Sequence, residues 1–133
     1  MWQKFGMGLM LLIFCFLTTA CAFTQTAFSR TANNAGSAFA AAEATLLYAH
    51  VGKITYSYAA SSFINYQSEL SGTDQTLAAQ GAGNTRTLQR LLALYSPAIQ
   101  VVDNPCLSTV CNWHNQIEIL NHASQAFLEA GSS

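Results

Sequence analysis

Residues 26–70 contain no proline, are rich in alanine, and repeat their apolar side chains every three or four residues. That spacing places the apolar side chains on one face of a helix. Small alanine side chains also let a second helix approach closely. The face comprises Phe28, Ala32, Ala35, Phe39, Ala42, Leu46 and Ala49, and a neighbouring stripe comprises Leu47, Val51, Ile54 and Tyr58. The pattern therefore predicts helices that pack tightly against other helices.

A single unbroken helix over this stretch would be too long for a domain of this size. At 1.5 Å per residue it would be about 66 Å long, in a protein of 133 residues. Gly36 and Gly52 each weaken a helix by about 1 kcal/mol, and we place a break near Gly52. Ile54–Tyr58 alternates apolar and polar side chains. A short strand is therefore the alternative to a helix there, and the helix is preferred.

Turn residues divide the second half of the chain. Gly72 suits the position just after a helix end, and Thr73 or Asp74 can cap the next helix. That helix is expected to run to about Tyr95, either unbroken or with a break over residues 81–84. Pro97 is expected to end it, because proline has no amide hydrogen and its ring clashes with the preceding turn.

A connector and a final helix complete the predicted architecture. The connector spans residues 97–111, and the final helix spans residues 112–130 and ends at Gly131. The helix carries Trp113, Ile117, Leu120 and Phe127 on its apolar face. Residues 26–133 are therefore predicted to form an all-α domain, a bundle of three or four helices, with four preferred.

The first twenty residues have the three parts of an export signal. Met1–Lys4 is polar with one positive charge, Phe5–Leu17 is apolar, and small residues follow up to Ala20. This order predicts a signal peptide over residues 1–20. The apolar run is shorter than the roughly 20 residues that a membrane span needs, so an uncleaved anchor is the weaker interpretation.

The residues at the predicted cleavage point allow two different cuts. Leu17-Thr18-Thr19-Ala20-Cys21 resembles the lipobox of bacterial lipoproteins, although Thr18 stands where leucine is commonest. The resemblance implies that Cys21 is lipidated, that residues 21–25 form a short tether, and that the protein stays at the membrane of the cell envelope. The alternative is an A-x-A site, Ala20-Cys21-Ala22, where a cut after Ala22 would release a secreted protein.

Either cut leaves two cysteines in the mature domain, Cys106 and Cys111. An even pair in an exported chain predicts a disulfide, which would pin the connector and contribute about 2 kcal/mol. The spacing is not C-x-x-C, so a thiol-oxidoreductase motif is absent.

The composition limits the possible partners. Charged residues are 8% of the chain, against roughly 25% in average domains. Such an uncharged surface has little electrostatic repulsion, so self-association or an envelope protein partner is a fair expectation. No run of basic residues is present, and nucleic-acid binding is therefore set aside.

The chemistry-bearing residues are few. His114, Glu118 and His122 recur every fourth residue on the last helix, and neighbouring members could chelate a metal ion. The outer two are about 12 Å apart along the axis, and a solvated polar stripe is the commoner meaning of such spacing. His50, with Glu43 seven residues earlier, is a second candidate base or ligand.

No catalytic motif is present, so an enzyme is the less favoured interpretation. Four of the five tyrosines fall between Tyr48 and Tyr66, and tyrosine suits both cores and interfaces. The sequence thus predicts an exported helical protein with a structural or interaction role. The alternative is a secreted bundle that binds a metal or small ligand.

Overall fold

The computed structural model describes residues 26–81 and 85–132, and within these ranges it contains helices and turns but no strand. The helices are α1 (Ala27–His50), α2 (Tyr56–Leu70), α3 (Thr73–Gln80), α4 (Thr85–Asp103) and α5 (Trp113–Ser132). The predicted all-α bundle is confirmed, with four longer helices and the eight-residue α3 between two of them. The signal peptide, the cleavage sites and Cys21 lie outside the described residues.

Threonine side chains begin the first two helices. The Thr26 hydroxyl accepts a hydrogen bond from the Ser29 amide, and the Thr55 hydroxyl accepts one from the Tyr58 amide. Each bond satisfies an amide that has no partner within its helix. Gly52 adopts a φ of 78° in the turn between the two helices, which confirms the predicted break. The strand alternative for Ile54–Tyr58 is wrong, because Thr55 caps a helix that starts at Tyr56.

Two boundaries in the second half differ from expectation. Gly72, not Thr73, is the N-cap of α3, with a φ of 76°, and Thr73 is buried inside the first turn. Pro97 lies inside α4, which continues to Asp103. Pro97 is exposed, so the carbonyl that loses its partner can be hydrated, while buried side chains in the next turn hold the helix together. Those side chains are Ala98, Val101 and Val102.

Two further boundaries also differ from expectation. The connector between α4 and α5 is shorter than predicted and spans residues 104–112. Gly131 lies within α5 rather than after it. In the middle of the chain, α3 ends at Gln80 and α4 begins at Thr85, so the version with a break is confirmed. Residues 82–84 themselves lie outside the described part.

Gly36 does not break α1 but lets α1 and α5 approach closely. A Cβ on Gly36 would lie 2.8 Å from the Leu128 amide nitrogen, and one on Gly131 would lie 2.8 Å from the Asn33 Cα. These distances are shorter than real Cβ contacts. Glycine is therefore required at both crossing points, whatever it costs the isolated helix.

The same contacts fix the direction of the helices. Residues near the start of α1 meet the end of α5, and His50 at the end of α1 meets Trp113 at the start of α5. The two helices are therefore antiparallel. The Thr31 hydroxyl donates to the Gln80 side chain, which places α3 beside the start of α1. One end of the bundle therefore lies at the start of α1. The other end lies at the end of α1, next to the connector that carries the disulfide.

The core runs the length of this bundle. Phe39 is at its centre, with its ring edge-to-face with Tyr95 and Phe127 at centroid distances of 6.1 and 5.5 Å. Within the part of the chain that the structure describes, the core cluster runs from Ala32 to Phe127. The largest fully buried side chains are Phe39, Phe63, Phe127, Leu46, Leu70, Leu77, Leu91, Leu120 and Val102.

Tyr95 makes the stability of this core depend on pH. Its hydroxyl donates to the Leu70 carbonyl at 2.9 Å. Burial, and then the charges of Asp74 and Asp103, raise the pKa of Tyr95 above its ordinary value of 10.0. Because the pKa is raised on folding, the stability contributed by neutral Tyr95 is fully present below about pH 10. It is lost as the pH rises through the pKa that Tyr95 has in the folded protein.

Tyr95→Phe is therefore expected to lower the free energy of unfolding by about 1 kcal/mol at neutral pH. Above about pH 10, the difference between wild type and variant should shrink. Urea denaturation across this pH range measures both quantities. Tyr58→Phe is the matched control, because Tyr58 is 64% exposed, and it should leave both unchanged. A difference that stays constant with pH would rule out the role given to Tyr95.

Candidate functional site

Three rings stack at the end of the bundle that carries the disulfide. The rings of His50 and Trp113 are 4.5 Å apart and within 4° of parallel. The rings of Trp113 and His114 are 3.7 Å apart at 28°. His50 belongs to the last turn of α1, and the other two begin α5. The stack therefore joins the end of one helix to the start of its antiparallel neighbour.

Both nitrogens of His50 have partners. Nε2 lies 2.6 Å from the Cys106 carbonyl oxygen, and a carbonyl can only accept, so Nε2 carries a proton and donates. Nδ1 lies 3.4 Å from the Tyr56 hydroxyl oxygen. Glu43, the suggested companion of His50, instead accepts from the Asn121 amide group at 3.1 Å. These contacts hold the His50 ring in place, and Glu43 is not among its partners.

The connector is fastened at several points. The predicted Cys106–Cys111 disulfide is confirmed, with the two Cα atoms 5.8 Å apart. The Cys106 amide donates to the Gln116 side-chain oxygen at 2.7 Å, and the Gln116 amide group donates to the Asn104 carbonyl at 3.1 Å. Cys106 is buried, but Val110 at the tip of the loop is 94% exposed. The disulfide and these hydrogen bonds therefore restrict the loop that exposes the apolar Val110 side chain.

Replacing both cysteines with serine should lower the free energy of unfolding by about 2 kcal/mol, since the short closed loop no longer restricts the unfolded chain. Urea denaturation of the double variant and of reduced wild type should give the same loss, because both lack the cross-link. An unchanged midpoint in both samples would contradict the stabilising role of the disulfide.

His114, Glu118 and His122 all lie on the exposed side of α5. No group of three or more His, Cys, Asp or Glu side chains is placed to hold a metal ion in the part of the chain that the structure describes. His114 is engaged in the ring stack, and His122 lines a groove between α4 and α5 with Arg90 and Glu129. A metal held by two members of the set stays a prediction.

The groove between α4 and α5 has a volume of about 360 Å³ and is open to solvent. Leu94 and Ala126 contribute apolar surface to its lining, and Arg90 and Glu129 contribute one charge of each sign. A lining that combines apolar surface with a few charged groups suits a small amphipathic molecule.

The end of the bundle around the ring stack also exposes apolar side chains. We call the surface formed by residues 47–58 and 104–114 the loop end. The Lys53 ammonium lies 5.3 Å from the centre of the Tyr48 ring. No Asp or Glu occurs between residues 44 and 68 or between residues 104 and 117. The exposed large apolar residues of the loop end are Leu47, Tyr48, Val51, Tyr56, Tyr58 and Val110.

Sequence reasoning missed this assembly. The tyrosines and the disulfide loop were visible as separate features, but His50 and Trp113 are more than sixty residues apart. Only the antiparallel register of α1 and α5 brings them together. The signal that could have found the stack is the position of each residue at a helix end next to the same connector.

No protein-family model, curated protein or solved structure matches this chain. Among the helices within residues 26–81 and 85–132, none has the length and apolar character needed to cross a bilayer. Function is therefore argued from the residues and their placement.

Proposed function

We propose that the protein is exported and tethered to a membrane of the cell envelope through a lipid on Cys21, and that its bundle has a structural or interaction role. One observation carries the proposal beyond the leader itself. Thr26, five residues after Cys21, begins α1 at the end of the bundle opposite the loop end.

This placement suits a tethered module. α1 has 24 residues and is therefore about 36 Å long. A tether at its start would leave the loop end, with its exposed tyrosines and Val110, free to meet a partner. The low charge and the absence of a catalytic motif favour an interaction role over an enzyme.

Cys21→Ser is expected to move the protein from the membrane fraction to the soluble exported fraction of a bacterial host, because serine cannot carry the thioether-linked lipid. Cys15→Ser is the matched control, since it removes a cysteine within the predicted signal peptide, six residues before Cys21, and it should leave the protein in the membrane fraction. Labelling with a radioactive fatty acid should mark the wild type and Cys15→Ser only.

Equal distribution and equal labelling of the two variants would contradict lipidation at Cys21. A wild-type protein found entirely in the medium would favour the cut after Ala22 instead.

A second candidate function is the binding of a small ligand or metal ion by a secreted bundle. The observation that favours it is the groove where His122 lies with Arg90 and Glu129. Metal analysis of the purified protein, together with thermal unfolding before and after a chelator, tests the metal form. No bound metal and an unchanged melting temperature would count against that form.

A further inference from the structure

We infer that the Cys106–Cys111 disulfide is a redox switch for the ring stack described above. A dithiol reductant attacks the disulfide at Cys111, and reduction releases the stack while the helices of the bundle stay folded. The inference goes beyond the proposed interaction role, because it concerns what keeps the loop end ordered. It depends neither on the tether at Cys21 nor on what the loop end contacts.

The disulfide closes a ring of contacts that includes the stack. The Cys106 carbonyl accepts a hydrogen bond from His50 Nε2 at 2.6 Å, and the His50 ring stacks on Trp113. The Trp113 amide donates to the Cys111 carbonyl at 3.1 Å, and the disulfide joins Cys111 back to Cys106. Breaking the disulfide therefore leaves only hydrogen bonds and stacking to close this ring.

The two cysteines differ in how firmly the rest of the structure holds them. The Cys106 amide donates to the Gln116 side chain at 2.7 Å, and the next residue, Leu107, packs against the core. Residues 108–112, which include Cys111, are all exposed. Reduction should therefore leave Cys106 in place and release residues 108–112, which lead directly into Trp113.

The bundle itself does not depend on the disulfide. Neither cysteine belongs to the core cluster centred on Phe39. A cross-link over so short a loop also contributes only a small part of the stability of a domain. The helices are therefore expected to persist after reduction, so that the change is confined to the loop end.

The exposure of the two cysteines decides which sulfur is attacked. Cys111 is exposed, whereas Cys106 is 4% exposed, so a thiolate of the reductant reaches the Cys111 sulfur. A mixed disulfide forms there as the bond between the two protein sulfurs breaks, and the Cys106 sulfur leaves with the electron pair and takes a proton from water. The second thiolate of the reductant then displaces Cys111. The dithiol is thereby oxidised to a disulfide, and the protein gains two thiols.

The Ser108 side chain supports the second step. Its hydroxyl oxygen lies 3.3 Å from the Cys111 sulfur. A disulfide sulfur carries no hydrogen, so the hydroxyl is the donor in this contact. Ser108 is therefore placed to stabilise the thiolate that Cys111 becomes when the mixed disulfide is resolved.

The test uses the full chain, purified in detergent from a bacterial host, with dithiothreitol as the reductant. The chain has two tryptophans, and Trp2→Phe is included in every sample so that Trp113 gives the tryptophan signal. Circular dichroism measures the tryptophan band in the near ultraviolet and the helix content in the far ultraviolet. We expect reduction to remove most of the tryptophan band and to leave the helix content unchanged.

Two variants connect this change to the disulfide and to the stack. The double variant Cys106→Ser and Cys111→Ser should show the weakened band without reductant, and dithiothreitol should not change it further. His50→Gln removes the ring that stacks on Trp113 but keeps a donor for the Cys106 carbonyl. It should show the same weakened band while its disulfide is intact.

A monothiol identifies the sulfur that is attacked. The oxidised protein is treated with glutathione, and free thiols are then alkylated with iodoacetamide. Peptide mass analysis should find glutathione on Cys111 and the alkyl group on Cys106.

Three results would overturn the inference. The first is a tryptophan band that dithiothreitol leaves unchanged, whether the disulfide resists reduction or the stack survives it. The second is a loss of helix content on reduction, which would make the disulfide a support of the whole bundle. The third is glutathione on Cys106. Cys21→Ser should respond to dithiothreitol as the wild type does, so the redox switch and the proposed tether fail separately.

Discussion

Phe39→Ala is expected to lower the free energy of unfolding by about 3–5 kcal/mol. The Phe39 ring is fully buried and contacts rings from both α4 and α5. Its removal leaves a cavity at the centre of the bundle, where the surrounding helices can collapse only partly. A small domain has roughly 5–15 kcal/mol in total, so the variant should lose much of its stability. Urea denaturation followed by circular dichroism measures the change.

Ile64→Ala is the control for Phe39→Ala. Ile64 is 64% exposed on α2, and truncation at such a surface position should cost less than about 0.5 kcal/mol. If the two variants differed by less than about 1 kcal/mol, the placement of Phe39 at the centre of the core would be wrong.

Gly36→Val is expected to destabilise the protein by about 3 kcal/mol, at the upper end of the cost of overpacking a core. The new Cβ would lie 2.8 Å from both the backbone nitrogen and the side chain of Leu128. Backbone atoms cannot move aside as the end of a flexible side chain can. The whole α1–α5 interface, the largest in the bundle, must therefore shift.

Ser37→Val separates this clash from the preference of valine for non-helical structure. Ser37 is the next residue of α1 and is exposed, so the same new side chain meets solvent there. Serine and valine have similar helix propensities, and the change should be within about 0.5 kcal/mol. Equal destabilisation by the two variants would show that helix propensity, rather than the contact with α5, sets the cost.

The periodicity of the sequence was sufficient to predict the class of fold and the apolar face that α1 contributes to the core. The residues predicted on the α1 face, from Ala32 to Ala49, are all buried. Local signals were weaker where tertiary packing outweighed them. Pro97 did not end α4. The carbonyl that loses its hydrogen-bond partner to Pro97 faces solvent, and the buried side chains of the next turn hold the helix in place. Gly36 looked like a weak point in one helix, and only the position of Leu128 explains it.

The surface features were harder to predict for a similar reason. The disulfide could be predicted from two cysteines close together in the chain and from the expectation of export. The ring stack needed residues from α1 and α5 in a particular register, and periodicity does not give that register. The spacing of His114, Glu118 and His122 was regular, but regular spacing on one helix does not supply a facing ligand from another.

The central claim is that the chain is exported and held at the membrane by a lipid on Cys21. Its most direct test is the intact mass of the full-length gene product recovered from a bacterial host, combined with N-terminal fragmentation. We predict a chain that begins at Cys21 and carries a covalent diacylglyceryl group. A chain that begins at Phe23 without lipid, or an unmodified chain that still begins at Met1, would contradict the claim.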